Sequence, residues 1–210
     1  MQWIVQSFIQ GMLQTGWMEL VAVLAGIASV WFSKKEHILV YPVGLVNTLF
    51  FVYISIKGHL YGEASVNVYY TIMSIYGWWL WIKKDAQQQP TLQIAYLKGN
   101  AQWQPFVFFG FFYVILLLLL TWAKQAFAPE AIPWADAFAS ATAYTGMWLM
   151  AKKKVESWWW WMATNVASIP LYFVKGYVFT SVQFVVLLVL AIAGYKSWHE
   201  KARSTSPKAE

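Results

Sequence analysis

Apolar residues along the 210-residue chain gather into seven long runs separated by short polar stretches rich in lysine. The runs fall near 16–33, 38–56, 64–82, 105–123, 134–151, 157–175 and 177–195. About 20 helical residues cross the hydrocarbon core of a bilayer, so each run is predicted to be a transmembrane helix. Residues 1–15 set Trp3, Ile4, Phe8, Met12 and Leu13 among glutamines, a pattern that predicts a short helix lying in the membrane interface. Residues 84–104 read as a polar loop and 201–210 as a solvated cytoplasmic tail. The fold class is therefore all-α integral membrane with seven transmembrane helices.

The pattern repeats. Trp17, Glu19, Ala22, Trp31 and Lys35 recur 117 residues later as Trp134, Asp136, Ala139, Trp148 and Lys152. Asn47, Lys57 and Gly58 match Asn165, Lys175 and Gly176 at an offset of 118, and Gly77 and Trp81 return as Gly194 and Trp198 at 117. Residues 16–83 and 134–200 are then two copies of a three-helix unit, and 105–124 is a linking helix. The chain crosses the membrane four times between equivalent helices, an even number. The two copies therefore run parallel, related by an axis along the membrane normal.

Composition sharpens the class. The chain is 60% hydrophobic and only 11% charged, against about 25% charged in soluble domains. With no cysteine, it has neither a disulfide framework nor a thiolate metal site. The N-terminus lacks the basic start and small-residue cleavage site of a secretory signal. Twelve Lys and Arg residues lie in the loops after the first, third and fifth runs and in the tail. Only Lys57, Lys124 and Lys175 lie on the other side. This bias places the N-terminus outside and the C-terminus in the cytoplasm. The net charge of +6 is thus a topology signal, and no nucleic-acid partner is expected.

Polar groups within lipid are costly and mark function. Asn47 and Asn165 occupy matched mid-helix positions, and the repeat axis predicts that they face each other at the bilayer midplane. Each carboxamide can glue two helices together or grip a ligand hydroxyl or amide. On the sixth run, Trp158, Trp161, Asn165, Ser168 or Ile169, and Tyr172 share one face by three-and-four spacing. Trp159 and Trp160 point elsewhere, toward lipid or neighbouring helices. Asn67, Ser74, Tyr76, Trp78 and Trp81 on the third run, with Thr180 and Gln183 on the seventh, complete a candidate pocket of amides, hydroxyls and aromatic faces. Such faces suit a planar or cationic ring. The alternative for any one tryptophan is the interfacial belt.

No Asp, Glu, Lys, Arg or His falls in the central part of any run, so an uncoupled, passive carrier is the simpler reading. Glu19 and Asp136 lie in first turns and are expected to cap helices or bind a loop lysine. The seventh run has no lysine for a retinal Schiff base, and no arginine clamp awaits a phosphate. His37, His59 and His199 lack metal spacing, and no nucleotide-binding glycine loop is present, so neither metal, cofactor nor catalytic residue is expected. Pro42 and Pro170 are candidate kinks. A receptor could use the same pocket without moving anything, whereas a membrane enzyme would need a reactive group there.

Ser74, Tyr76, Gly77, Trp78 and Trp81 read SxYGWxxW, and Trp158, Trp161 and Asn165 read WxxWxxxN in the segment that opens with KKVESWWWW. Both motifs resemble those of the PnuC nicotinamide riboside transporters, relatives of the SWEET sugar carriers, and the likeness runs from about Trp17 to Trp198. The resemblance implies a 3+1+3 helix plan in a bacterial inner membrane and facilitated uptake of a vitamin-like nucleoside by alternating access. It also implies a substrate site at Trp158, Trp161 and Asn165, and a cytoplasmic kinase as functional partner that traps the product. Relatives carry thiamine, riboflavin or deoxynucleosides, and the motifs leave that choice open, with thiamine the strongest competitor. A homo-oligomer is compatible with the pattern.

Overall fold

The computed structural model describes Gln6 and residues 16–57, 61–126 and 132–205. The expected interfacial helix over 1–15 lies outside the described residues. Seven helices run in chain order: α1 (Trp17–Lys34), α2 (Val40–Lys57), α3 (Tyr61–Ile82), α4 (Gln104–Ala126), α5 (Pro133–Ala151), α6 (Ser157–Val174) and α7 (Val178–Thr205). A 3-10 turn, Gly99–Trp103, leads into α4. By length and composition, α1, α2, the Gly99–Gln125 segment and α7 are apolar enough to cross a membrane. Tryptophans, tyrosines, threonines and asparagines make α3, α5 and α6 less apolar, and these three pack on one another in the order α3, α5, α6.

Neighbouring helices close a ring α1–α2–α3–α5–α6–α7, with α7 returning to α1 and α4 lying outside against α5. Contacts recur across this ring at the sequence offset. Tyr41 lies over Gly77 and Trp158 over Gly194. Trp81 Nε1 donates to the Ala151 carbonyl at 3.1 Å, while Trp198 Nε1 donates to the Ser33 carbonyl at 3.0 Å. Ser33 Oγ meets Met150 Sδ at 2.9 Å, and Lys153 Nζ meets Glu36 Oε1 at 2.8 Å, each pair 117 positions apart.

Local chemistry sets the helix ends. Pro133 opens α5, where a missing N–H costs nothing, and Asp136 Oδ2 reaches back to accept the Ile132 N–H at 2.7 Å. Its other oxygen pairs with Lys175 Nζ at 2.6 Å, so this acid both caps a helix and binds a lysine. Gly176, at φ +85°, closes α6 while its N–H donates to the Phe173 carbonyl at 3.0 Å. Pro42 sits in the first turn of α2, where it need not kink the helix. Pro170 lies inside α6.

Two polar segments are more structured than their composition suggests. Residues 196–205, the last five of them expected in the solvated tail, continue α7 because Trp198 and Ala202 are buried. In the 84–104 loop, Ile94 and Leu97 are buried, and Leu97 N–H donates to Glu156 Oε1 at 2.8 Å. Ala95 exchanges backbone hydrogen bonds with Lys153 and Val155, and Tyr96 hydrogen-bonds His199. This loop straps the lysine-rich end of the bundle, beside a core of Tyr41, Trp81, Val155, Trp158 and Trp198.

Candidate functional site

The facing sides of α3, α5 and α6 bring aromatic rings together midway along the helices. Tyr69 and Tyr144 stack with centroids 4.0 Å apart, and the Tyr69 hydroxyl donates to the Tyr144 carbonyl at 3.1 Å. Tyr70 stands edge-on to Tyr144 at 6.2 Å and tilts toward Trp161 at 6.4 Å. The Tyr172 and Tyr144 phenols are electrostatic neighbours of the Tyr70 hydroxyl. Tyr172 in turn stacks on Phe184 of α7 at 5.1 Å. Gly146 permits the close approach of α6 to α5, since a Cβ there would lie 3.2 Å from the Trp161 indole.

One turn beyond Trp161, Asn165 is 3% exposed, and its carboxamide has no hydrogen-bond partner among the described residues. Such an amide keeps its donors and acceptor available for a ligand. The neighbouring polar groups are committed. Thr164 and Thr142 join α6 to α5 at 2.9 Å, and Thr71 and Thr48 join α3 to α2 at 2.9 Å. Asn47 donates to the Ala22 carbonyl at 2.7 Å and lies against Gly26, so it binds α2 to α1. The matched asparagines therefore differ in use: Asn47 ties α2 to α1, whereas Asn165 makes no such bond among the described residues.

The other candidates divide. Trp161, Asn165 and Tyr172 share the inner stripe of α6, and Asn67 is buried on α3. Trp158 lies at the start of that stripe but is 1% exposed, wedged over Gly194 in the lysine-rich core, with its indole N–H unpartnered. Tyr76 and Trp78 are each 37% exposed, and the Tyr76 ring meets Trp79. Thr180 and Gln183 are half-buried on α7. Trp160 packs on Phe106 and Phe109 of α4, while Trp159 is exposed and meets Tyr195, as their phase predicts.

Tyr69, Tyr70 and Tyr144 escaped the motif reading. Their signal was tyrosines in mid-helix, where an interfacial belt does not extend. Two surface cavities of about 610 and 430 Å³ flank α4, the larger lined by Trp103, Phe108, Phe111 and Trp148. None of the candidate residues lines either; they are surface grooves beside α4, which lies outside the ring against α5.

A helical bundle apolar enough to span a bilayer, enclosing rings and amides between its helices, defines a multi-pass membrane transporter. Residues 16–200 match the family described as nicotinamide mononucleotide transporter, and the chain belongs to that family. It is 26% identical to the nicotinamide riboside transporter PnuC of Escherichia coli, over 92% of this chain and 89% of the relative. It is 23% identical to the riboflavin/roseoflavin transporter RibM of Streptomyces davaonensis, over 90% and 88% respectively. The fold is that of the crystal structure of the vitamin B3 transporter PnuC, with a TM-score of 0.69, 21% identity and coverage of 97% of this chain and 92% of that one.

Proposed function

We propose that this transporter takes up nicotinamide riboside by facilitated diffusion, with α1–α3 and α5–α7 as parallel repeats that rock about a central site. Asn165 carries the reading. It is a buried residue one turn from Trp161, whose indole tilts toward Tyr70 of the Tyr70–Tyr144 pair, and its amide makes no hydrogen bond among the described residues. A pyridinium is flat and cationic and suits those ring faces, while its carboxamide and ribose hydroxyls suit the amide. Asn67 of α3, Tyr172 of α6 and Thr180 and Gln183 of the neighbouring α7 are further polar groups assigned to the site. The name of the Escherichia coli relative points to the same substrate.

The family description names a mononucleotide, yet no lysine or arginine lies in the middle of α3, α5 or α6 to meet a phosphate. The dephosphorylated nucleoside fits better. The site likewise offers no charge to couple a proton or sodium ion. Net accumulation then requires trapping, which a cytoplasmic kinase supplies by phosphorylation. The lysine-rich end faces the cytoplasm in this reading, with the N-terminus outside. Riboflavin is a second reading, supported by the likeness to RibM and by a site of neutral rings that accepts an isoalloxazine as readily as a pyridinium.

Purified protein tested against nicotinamide riboside, thiamine, riboflavin and nucleosides is expected to bind the first most tightly. Proteoliposomes are expected to take it up at a rate unchanged when proton and sodium gradients collapse. Tighter binding of riboflavin, or strict gradient dependence, would sink the corresponding part of the proposal.

A further inference from the structure

We propose that Glu36 is a gate residue: with Lys153 and Lys201 it latches one three-helix half to the other, and transport requires the latch to open. The inference rests on the rocking reading above. In a molecule with pseudo-twofold symmetry, a residue meets its own equivalent only on the axis. Ser33 with Met150 and Glu36 with Lys153 do so, each 117 positions apart, so the axis leaves the lysine-rich end between them. Any movement that opens this end along the axis must part these pairs.

The chemistry suits a latch. Identical charges at both copies would repel across the axis, whereas an acid at one copy and a base at the other attract. The Glu36 carboxylate spans two lysines of the second half, with Oε1 2.8 Å from Lys153 Nζ and Oε2 3.0 Å from Lys201 Nζ. The Lys153 side chain is 7% exposed, and its ammonium also lies 4.6 Å from the ring centroid of Trp81 in the first half. Glu36 and Lys153 occupy matching left-handed positions just past the ends of α1 and α5, at φ +60° and +52°, each closed by hydrogen bonds from the turn back to its own helix. The two turns thereby aim the charges at each other. The reciprocal hydrogen bonds of Trp81 and Trp198 to the opposite half flank the pair and are broken by the same movement.

The chain contains no cysteine, so Ser33→Cys, at a site 3% exposed, gives a clean reporter for a membrane-impermeant maleimide. Adding Glu36→Gln is expected to speed labelling about tenfold, the factor produced by removing about 1.4 kcal/mol from the closed state. Adding Asp136→Asn, which breaks an ion pair within one half, is expected to leave the rate unchanged. No acceleration in Glu36→Gln, or equal acceleration in Asp136→Asn, would overturn the latch. In a second arm, Glu36→Cys with Lys153→Cys is bridged by a short bis-methanethiosulfonate. Uptake is expected to stop and to recover on reduction; undiminished uptake through the bridged protein would also overturn it. Labelling involves no substrate, so failure of the native chain to carry nicotinamide riboside sinks the substrate reading and leaves the latch standing.

Discussion

The Trp158 indole lies across Gly194 so closely that a Cβ on the glycine would stand 2.3 Å from the ring, and Tyr41 covers Gly77 in the same way at 2.5 Å. Position 158 is 117 residues after 41, as 194 is after 77. Each half thus seats a large ring in a notch that only glycine leaves open. Trp158 is fully buried against Trp198, with no room to swing aside. Gly194→Ala should therefore cost about 1–3 kcal/mol by overpacking. A thermal melt in detergent checks this, and a variant melting with the native protein would show that the ring relocates at no cost.

The two asparagines are expected to separate function from stability. Asn47→Leu removes the α2–α1 hydrogen bond and should lower stability by about 1 kcal/mol, the scale of interhelical bonds in membranes. Asn165→Leu removes no bond among the described residues, so it should melt near the native temperature and lose substrate binding. Paired melts and binding isotherms test the split; normal binding by Asn165→Leu would place the site elsewhere.

Much of this arrangement was legible in the chain because lipid leaves few alternatives. Apolar runs gave the helices to within a few residues, except where α7 continues on Trp198 and Ala202, whose burial against other elements no local pattern reveals. The inner stripe of α6 was legible because helical phase is local. The fate of Asn47 was not, since it depends on how close Gly26 lets α1 approach, and that distance is a property of packing. For the same reason Trp158, in phase with Trp161, lies in a closed core while Trp161 meets Tyr70. Tyr69 and Tyr144, one face of the cluster, belong to helices that a motif search treats separately.

Trp161 should matter as a ring with a negative face. If the substrate is cationic, Trp161→Leu forfeits about 2 kcal/mol of cation–π attraction, which weakens binding about 30-fold. Trp161→Phe should keep a substantial part of it. Titration of nicotinamide riboside against the three proteins tests this. Equal losses in Leu and Phe would point to packing on Gly146 as the role of the indole.

The latch also has a pH signature. Burial opposes ionisation of Glu36, but hydrogen bonds and charge from Lys153 and Lys201 outweigh it and hold its pKa below the ordinary 4.5. Because the folded value is depressed, the stabilisation is complete above the unfolded pKa and fades as pH falls through the folded one. The melting temperature of the native protein should exceed that of Glu36→Gln at pH 7, with the gap closing below about pH 4.5. Melts of both proteins between about pH 7 and 3.5 measure the gap across that titration. A gap that does not narrow would mean that the carboxylate's charge is not what holds the two halves together.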